Sequence, residues 1–277
     1  MRRGIVVVAV GLTLVAAACA DSSDSSDAGD ETTTNRIVEP GDVAAHPDGT
    51  QVVTQGVLVI ADDTRLCDVI LESAPPQCGG NSVVLGDLQR DDVVALQAPT
   101  DPEGQGVAWT TYPLPVTGTV QGGILVNTEI AGRIHTEEGN GLRVRLMSVQ
   151  KPLFPRQLRS GEPIWWAIDV TNITDEPIPL TFGSSQVADV SISDGDTELY
   201  RWSNEKAFTQ EIHDIQFAAG VTSGATLTDA FVTDPGTNYT LRGWVTAIGA
   251  NDVVVTVPVE VIAPSVGASP DGPSPAP

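Results

Sequence analysis

The chain has 277 residues, room for two domains at about 100–150 residues each and too few for three. Hydrophobic residues make up 41% and recur in strand-like runs, which excludes a largely disordered protein. A formal net charge of −22 repels phosphate backbones and argues against nucleic acid as a partner.

The two arginines Arg2 and Arg3 precede an apolar run from Gly4 to Ala18, the charged start and apolar middle of a secretory signal. At about 1.5 Å rise per residue, this run is too short for a hydrocarbon core of about 30 Å, so it is expected to be a leader, not a membrane span. It ends Val15-Ala16-Ala17-Ala18-Cys19, which resembles a bacterial lipobox with Ala16 where Leu is usual. That resemblance implies a diacylglyceryl group on the Cys19 thiol and a chain anchored at the extracytoplasmic face of the cell membrane. Ordinary cleavage near Ala18 or Ala20, leaving a free thiol, is the alternative. A tether follows: Ala20–Asn35 carries five acids, no basic side chain and almost nothing apolar, and cannot offset its ordering entropy. The tether is drawn to residue 50, where strand patterning begins. Two lysines against twelve arginines, with abundant Ala, Val, Gly and Asp, suggest a GC-rich bacterial genome such as an actinobacterial one.

Residues 51–138 form the first expected domain. Gln51–Ala61 and Ser82–Leu88 are Val-rich runs bounded by Asp, Gly and Pro, and read as strands. Asp92–Gln97 and Pro115–Ile130 continue the pattern, with Gly122-Gly123 as a hairpin turn. A small barrel or open sheet follows, and the recurrence of Val-Thr-x-Gly at Val53 and Val-Thr-Gly-Thr at Val116 resembles OB-like barrels. Oligonucleotide binding by such a barrel needs a basic groove with stacking aromatics, whereas this region is acidic and offers only Trp109 and Tyr112. In an exported chain Cys67 and Cys78 most simply form a disulfide, with Pro75-Pro76 as the stiff part of its loop.

Residues 139–262 form the second expected domain, and residues 263–277, rich in Pro, Ser and Gly, a disordered tail. Leu142, Val144 and Leu146 alternate with Arg143, Arg145 and Met147. Ile164, Trp166, Ile168 and Val170 alternate with Trp165, Ala167, Asp169 and Thr171. Adjacent tryptophans on a strand point to opposite faces, so Trp166 is assigned to the core, and Trp165 is either exposed or packed under a loop. Further short strands run through Leu180–Phe182, Ala188–Ile192, Tyr200–Trp202, Thr226–Val232, Tyr239–Ile248 and Asp252–Ile262. Pro258 cannot donate a ladder bond and should lie on an edge or with its bare side outward. The expected fold is all-β: a small OB-like β-barrel or open sheet, then an immunoglobulin-like β-sandwich.

Within 172–211 stand Asn172, Thr174, Glu176, Pro177, Leu180, Phe182, Ser185, Gln186, Trp202, Ser203, Lys206, Phe208, Thr209 and Gln210. This series resembles the BsuPI family, named for an intracellular proteinase inhibitor of bacilli. Its pattern resumes at Asp234-Pro235-Gly236 and Tyr239 and departs at Gly220-Val221-Thr222. The resemblance implies a proteinase-inhibitor-type domain, with a loop held in the active-site cleft of a serine protease as one mode of action.

Catalysis needs converging groups, and the inventory is poor: His46, His135 and His213 are scattered, and no Gly-x-Ser-x-Gly, His-Glu-x-x-His or phosphate loop occurs. Asp194, Asp196 and Glu198 alternate as calcium ligands do but lack the bending Gly of an EF-hand, and a β-turn is expected. No enzyme, cofactor or metal is expected. The expected partner is a protein, an extracellular protease by the family resemblance, with the membrane reached through the lipid anchor. Trp165, Tyr200, Arg201, Trp202, Lys206 and Phe208 are the candidate contact residues, with Trp202 and Phe208 closing the core at a sheet corner as the other reading. The alternative function is a structural or scaffolding envelope protein with no protease partner. Replacing Cys19 with Ala is expected to move the chain from the membrane fraction to the medium and abolish incorporation of labelled palmitate.

Overall fold

The computed structural model describes residues 37–73, 76–98, 106–150 and 157–264. The leader, Cys19, the acidic stretch to residue 36, Pro75 and the tail beyond Pro264 lie outside them. The fold is all-β, with a small barrel followed by stacked sheets.

The barrel is built from β1 (Ile37–Val38), β2 (Gln51–Ile60), β3 (Thr64–Leu71), β4 (Gln77–Leu85), β5 (Ala108–Gln121) and β6 (Ile124–Ile130). Its order is β1-β2-β3-β4-β6-β5, and β5 returns to pair with β2, closing five strands and removing their edges. Alternate residues fill the interior, among them Leu58, Leu66, Tyr112, Leu114, Val116 and Leu125, all fully buried. Closure demands a bend at Gly56, where a Cβ would stand 2.6 Å from the Cys67 carbonyl oxygen. Gly122 and Gly123, at φ 59° and 80°, make the β5–β6 hairpin. A disulfide joins Cys67 of β3 to Cys78 of β4, with their Cα atoms 5.5 Å apart.

Two segments differ from the sequence expectation. Residues 37–50, assigned to the tether, hold β1 and a 3₁₀ turn over Pro40–Ala45 whose Val43 is fully buried against the barrel. Val38, Pro40 and Val43 supply apolar surface that the stretch before residue 36 lacks. Asp92–Gln97 is not a strand but a loop after a 3₁₀ turn at Arg90–Asp92, touching the ladder only through a Gln97–Trp109 bridge. Its apolar run is buried by packing instead: Val93, Val94 and Ala95 are at most 1% exposed, and Tyr112 donates its hydroxyl to the Val94 carbonyl at 2.7 Å.

The second part comprises β7 (Ile134–Gly139), β8 (Leu142–Gln150), β9 (Gln157–Arg159), β10 (Ile164–Asn172), β11 (Ile178–Phe182), β12 (Ala188–Asp194), β13 (Thr197–Arg201), β14 (His213–Phe217), β15 (Thr222–Asp229), β16 (Gly236–Val245) and β17 (Val254–Ile262). One sheet runs β15-β10-β8-β7, a second runs β13-β12-β16-β17-β9, and β11 pairs with β14 in a separate ribbon. The two sheets share a core in which Leu146, Ile164, Trp166 and Ile168 of the first meet Val190, Ile192, Leu241 and Val255 of the second. Pro258 faces Thr240 of β16 on one side, and on the other β9 pairs only from Glu260 onward, so the missing N–H breaks no ladder bond.

The opposite face of the first sheet is also buried. Met147, Val149 and Ala167, with Trp165 and Ile134 at the margin, belong to the apolar cluster of the barrel. In the middle of that face stands Asp169, 1% exposed. Arg145 meets it through Nε–Oδ1 at 2.9 Å and Nη2–Oδ2 at 2.6 Å, and the Ala95 backbone N–H donates to Oδ2 at 3.0 Å. The same guanidinium donates to the carbonyls of Asp91 at 2.6 Å and Val93 at 3.1 Å, so the 3₁₀ turn and the loop after it are bound to the sheet at three residues. Gly224 of β15 permits this approach, because a Cβ there would lie 2.4 Å from the Ala95 Cα.

Removing one member of a buried, hydrogen-bonded pair strands the other, at a cost of roughly 3–5 kcal/mol. Arg145→Leu is expected to lower the unfolding free energy by that amount in chemical denaturation. Arg143→Leu, whose partner Glu138 is exposed at the surface, should change it by less than about 1 kcal/mol.

Candidate protein-binding surface

Between β13 and β14 the chain leaves the sheets for residues 202–212, and polar groups pin that excursion along its length. The pinning starts at Asp189, an acid on β12 that is 2% exposed. Its Oδ1 accepts from the backbone N–H groups of Val190 at 2.9 Å and Ser203 at 3.1 Å, and its Oδ2 accepts the Ser203 hydroxyl at 2.7 Å. A buried carboxylate needs such donors to offset its lost hydration, and here they fix the first turn of the excursion.

Trp202 comes next. Its indole N–H donates to the Thr228 carbonyl of β15 at 3.1 Å, and its ring packs on the margin of the sandwich core. Phe208 lies 5.9 Å from that ring, and the Lys206 ammonium stands 5.1 Å above it. Lys206 also reaches Asp229 Oδ2 at 3.1 Å, and the Tyr200 hydroxyl donates to the same oxygen at 3.0 Å. At the far end, the Thr209 N–H donates to Ser185 Oγ at 3.1 Å and the Ser185 N–H to the Thr209 carbonyl at 3.0 Å. Between these anchors Asn204, Glu205, Ala207, Gln210 and Glu211 are exposed, and Ile212 is 73% exposed. Glu205 takes φ 65°, a left-handed conformation that the anchors on either side hold in place.

Other residues of the series, Asn172, Thr174 and Gln186 among them, also act as fasteners. Asn172, fully buried, donates through Nδ2 to the carbonyls of Glu176 and Phe217, both at 2.8 Å. Its Oδ1 accepts from the Thr174 N–H at 2.9 Å and hydroxyl at 2.7 Å. One side chain thus closes the turn from β10 to β11 and holds the end of β14 against it. The Gln186 carbonyl accepts the Thr246 hydroxyl, tying the approach to β12 onto the end of β16.

The structure divides the six candidate contact residues among three places. Tyr200, Trp202, Lys206 and Phe208 share the network at the root of the excursion. Arg201 alternates with Tyr200 along β13, binds Glu198 at 2.6 Å, stacks 5.2 Å over Trp244 and stands 3.8 Å from Asp189 Oδ2, so it meets the network only through that acid. Trp165 is half-buried against the barrel cluster. Asp194 and Asp196 flank the turn at Gly195, whose φ is 53°. Asp189 and Asp229, the two acids that organise the network, were missed in the sequence. Each sits among strand residues with nothing local to mark it, and its partners lie 14 and 23 positions away.

Electrostatics favours the network at neutral pH. Burial, and then the neighbouring Asp229 charge, raise the Tyr200 phenol well above its ordinary range, so it stays a donor. Burial pushes Asp229 upward, but donation from Lys206, the Ala230 N–H and Tyr200 outweighs it, and the carboxyl titrates below its ordinary 3.8.

Residues 155–249 match the BsuPI family, described as intracellular proteinase inhibitor. No curated protein matches the chain. Among solved structures, a Pseudomonas fluorescens alkylpurine DNA glycosylase bound to DNA with an abasic site analog is 16% identical, with TM-score 0.27 over 44% of this chain and 31% of that one. A Listeria innocua β-glucosidase is 14% identical, with TM-score 0.25 over 62% of this chain and 21% of that one. The chain therefore spans under a third of either structure's length.

An acid whose folded pKa is depressed stabilises the fold above its unfolded pKa, and that contribution disappears as pH falls through the folded value. Solvent protection of the Trp202 indole N–H should therefore be complete above pH 3.8 and decline below it, as read by NMR hydrogen exchange. Lys206→Met is expected to move that decline to higher pH.

Proposed function

We propose that the BsuPI domain spanning residues 155–249 is a non-catalytic protein-binding module that presents the pinned excursion 202–212 to a protease. The observation that carries this reading is the contrast within the excursion: Ser203, Trp202, Lys206 and Thr209 are fastened from beneath, while Asn204, Glu205, Ala207, Gln210 and Glu211 stand in solvent. A loop already held in one conformation loses little entropy on docking, which is what an inhibitor needs in order to occupy a cleft without being remodelled by it. The anionic tips Glu205 and Glu211 favour a target with a basic cleft rim. The lipobox-like end of the leader and the acidic tether support an acyl-anchored module outside the cell membrane, whose target would be an extracytoplasmic enzyme and not the cytosolic protease of the family's namesake.

Titrating the purified chain into a panel of secreted serine proteases tests this directly. Stoichiometric inhibition of at least one is expected, weakened at least tenfold by the pair Glu205→Ala and Gln210→Ala with the thermal unfolding midpoint unchanged. A panel left fully active at excess chain would sink the inhibitor reading and leave the scaffold role.

A further inference from the structure

β14 and β15 follow one another through residues 218–221, a connection short enough for an antiparallel hairpin. They do not form one. Among the described residues the ladder partner of β14 is β11 and that of β15 is β10, so each strand turns an unpaired backbone edge away from its partner. Where they diverge, a cavity of about 500 Å³ opens between the two sheets of the sandwich. Ile215 of β14 and Ala225 of β15 stand on its two sides, with Ile168, Val170, Phe182 and Val245 behind them. Two of the apolar side chains that line it are open to solvent: Ile215 is 41% exposed and Val187 46%. A soluble surface seldom collects such residues without a partner.

We propose that this slot receives an extended segment of a partner protein as an inserted strand, with apolar residues at alternate positions and basic residues at its ends. The inference rests on the reading of the domain as a protein-binding module and names the element it grips. An inserted strand would pair with β14 on one side and β15 on the other, and its alternate side chains would fill the apolar cavity. Two side chains limit the open edge of β15: the Gln97 amide donates to the Gly224 carbonyl at 3.3 Å, and Trp202 holds that of Thr228. An aliphatic chain in the same place would bury both edges without hydrogen-bond partners, which disfavours a lipid. Basic ends follow from the exposed Glu211 beside the start of β14 and from the chain's charge of −22.

The chain's own remaining segments do not suit the slot. The apolar run Gly4–Ala18 belongs to a leader that export removes on the reading above, the tether Ala20–Asn35 is acidic and lacks any aliphatic larger than Ala, residues 99–105 and 151–156 carry two prolines each, and the tail 265–277 carries four. Proline cannot donate to a ladder.

A labelled, end-blocked peptide Lys-Val-Thr-Val-Thr-Val-Lys, titrated with the full chain and followed by fluorescence anisotropy and amide exchange, tests the proposal. Saturable binding is expected, with slowed exchange in both β14 and β15. Affinity should fall at least tenfold when the peptide's lysines become glutamates, and equally when the exposed Ser223 is changed to Trp to block the mouth. Ile215→Asp, also at the surface, should act in the same direction. Absence of saturation, binding that leaves either strand's exchange unchanged, or displacement of the peptide by dodecanoate would each overturn the proposal. So would protection of β14 and β15 that appears without peptide and grows with protein concentration, because the occupant would then be a second copy. Protease inhibition measured on the same samples separates the two readings. Inhibition that persists without peptide binding removes only the slot, and peptide binding without inhibition of any protease removes only the inhibitor.

Discussion

The Asp169 carboxylate, buried in the middle of a sheet, is the constraint on which the relation between barrel and sandwich depends. An acid there is tolerable only if its charge is matched, and Arg145 and the Ala95 N–H match it. Because the same guanidinium takes the carbonyls of Asp91 and Val93, satisfying the acid obliges the barrel's loop to lie on the sheet. The sheet β15-β10-β8-β7 is therefore covered on both faces, which explains why β10 carries Trp165 and Ala167 as well as Trp166 and Ile168. A strand with one face in water would alternate apolar and polar residues cleanly.

That rigidity passes to the face that carries the excursion 202–212. β10 is held from behind by the barrel, β15 is held by β10, and the Trp202 indole and Asp229 then fasten the excursion 202–212 to β15. The family's recurring residues are mostly the fasteners of this arrangement. Asn172, Ser185, Trp202, Ser203, Lys206 and Thr209 each make a contact that closes a turn or pins the excursion, and the side chains between them stay free to differ.

The same economy explains the unzipped strands. β14 is drawn toward β11 by the register Leu180 to Ile215 and by Asn172 holding the Phe217 carbonyl, while β15 is committed to β10 along its whole length. Held to different partners, the two strands stand apart, and the apolar side chains that a hairpin would have covered line a cavity instead.

Strand periodicity in the sequence was sufficient for the all-β class, the closed hairpin at Gly122-Gly123 and the inward face of β10, because alternation is a local property of a pleated chain. Two cysteines close in sequence were enough to foresee their bridge, and Asn172, Trp202 and their companions were enough to foresee that residues 155–249 match the BsuPI family. Local pattern misassigned Asp92–Gln97, whose apolar residues are buried by a loop lying on a sheet, and residues 37–50, whose few apolar groups find the barrel only once it has closed. Asp189, Asp169 and Asp229 were beyond its reach, since an acid in a strand looks the same whether it meets water or a distant arginine. Their partners come from other strands and from loops far along the chain, and the dielectric that makes those pairings decisive exists only inside the folded protein.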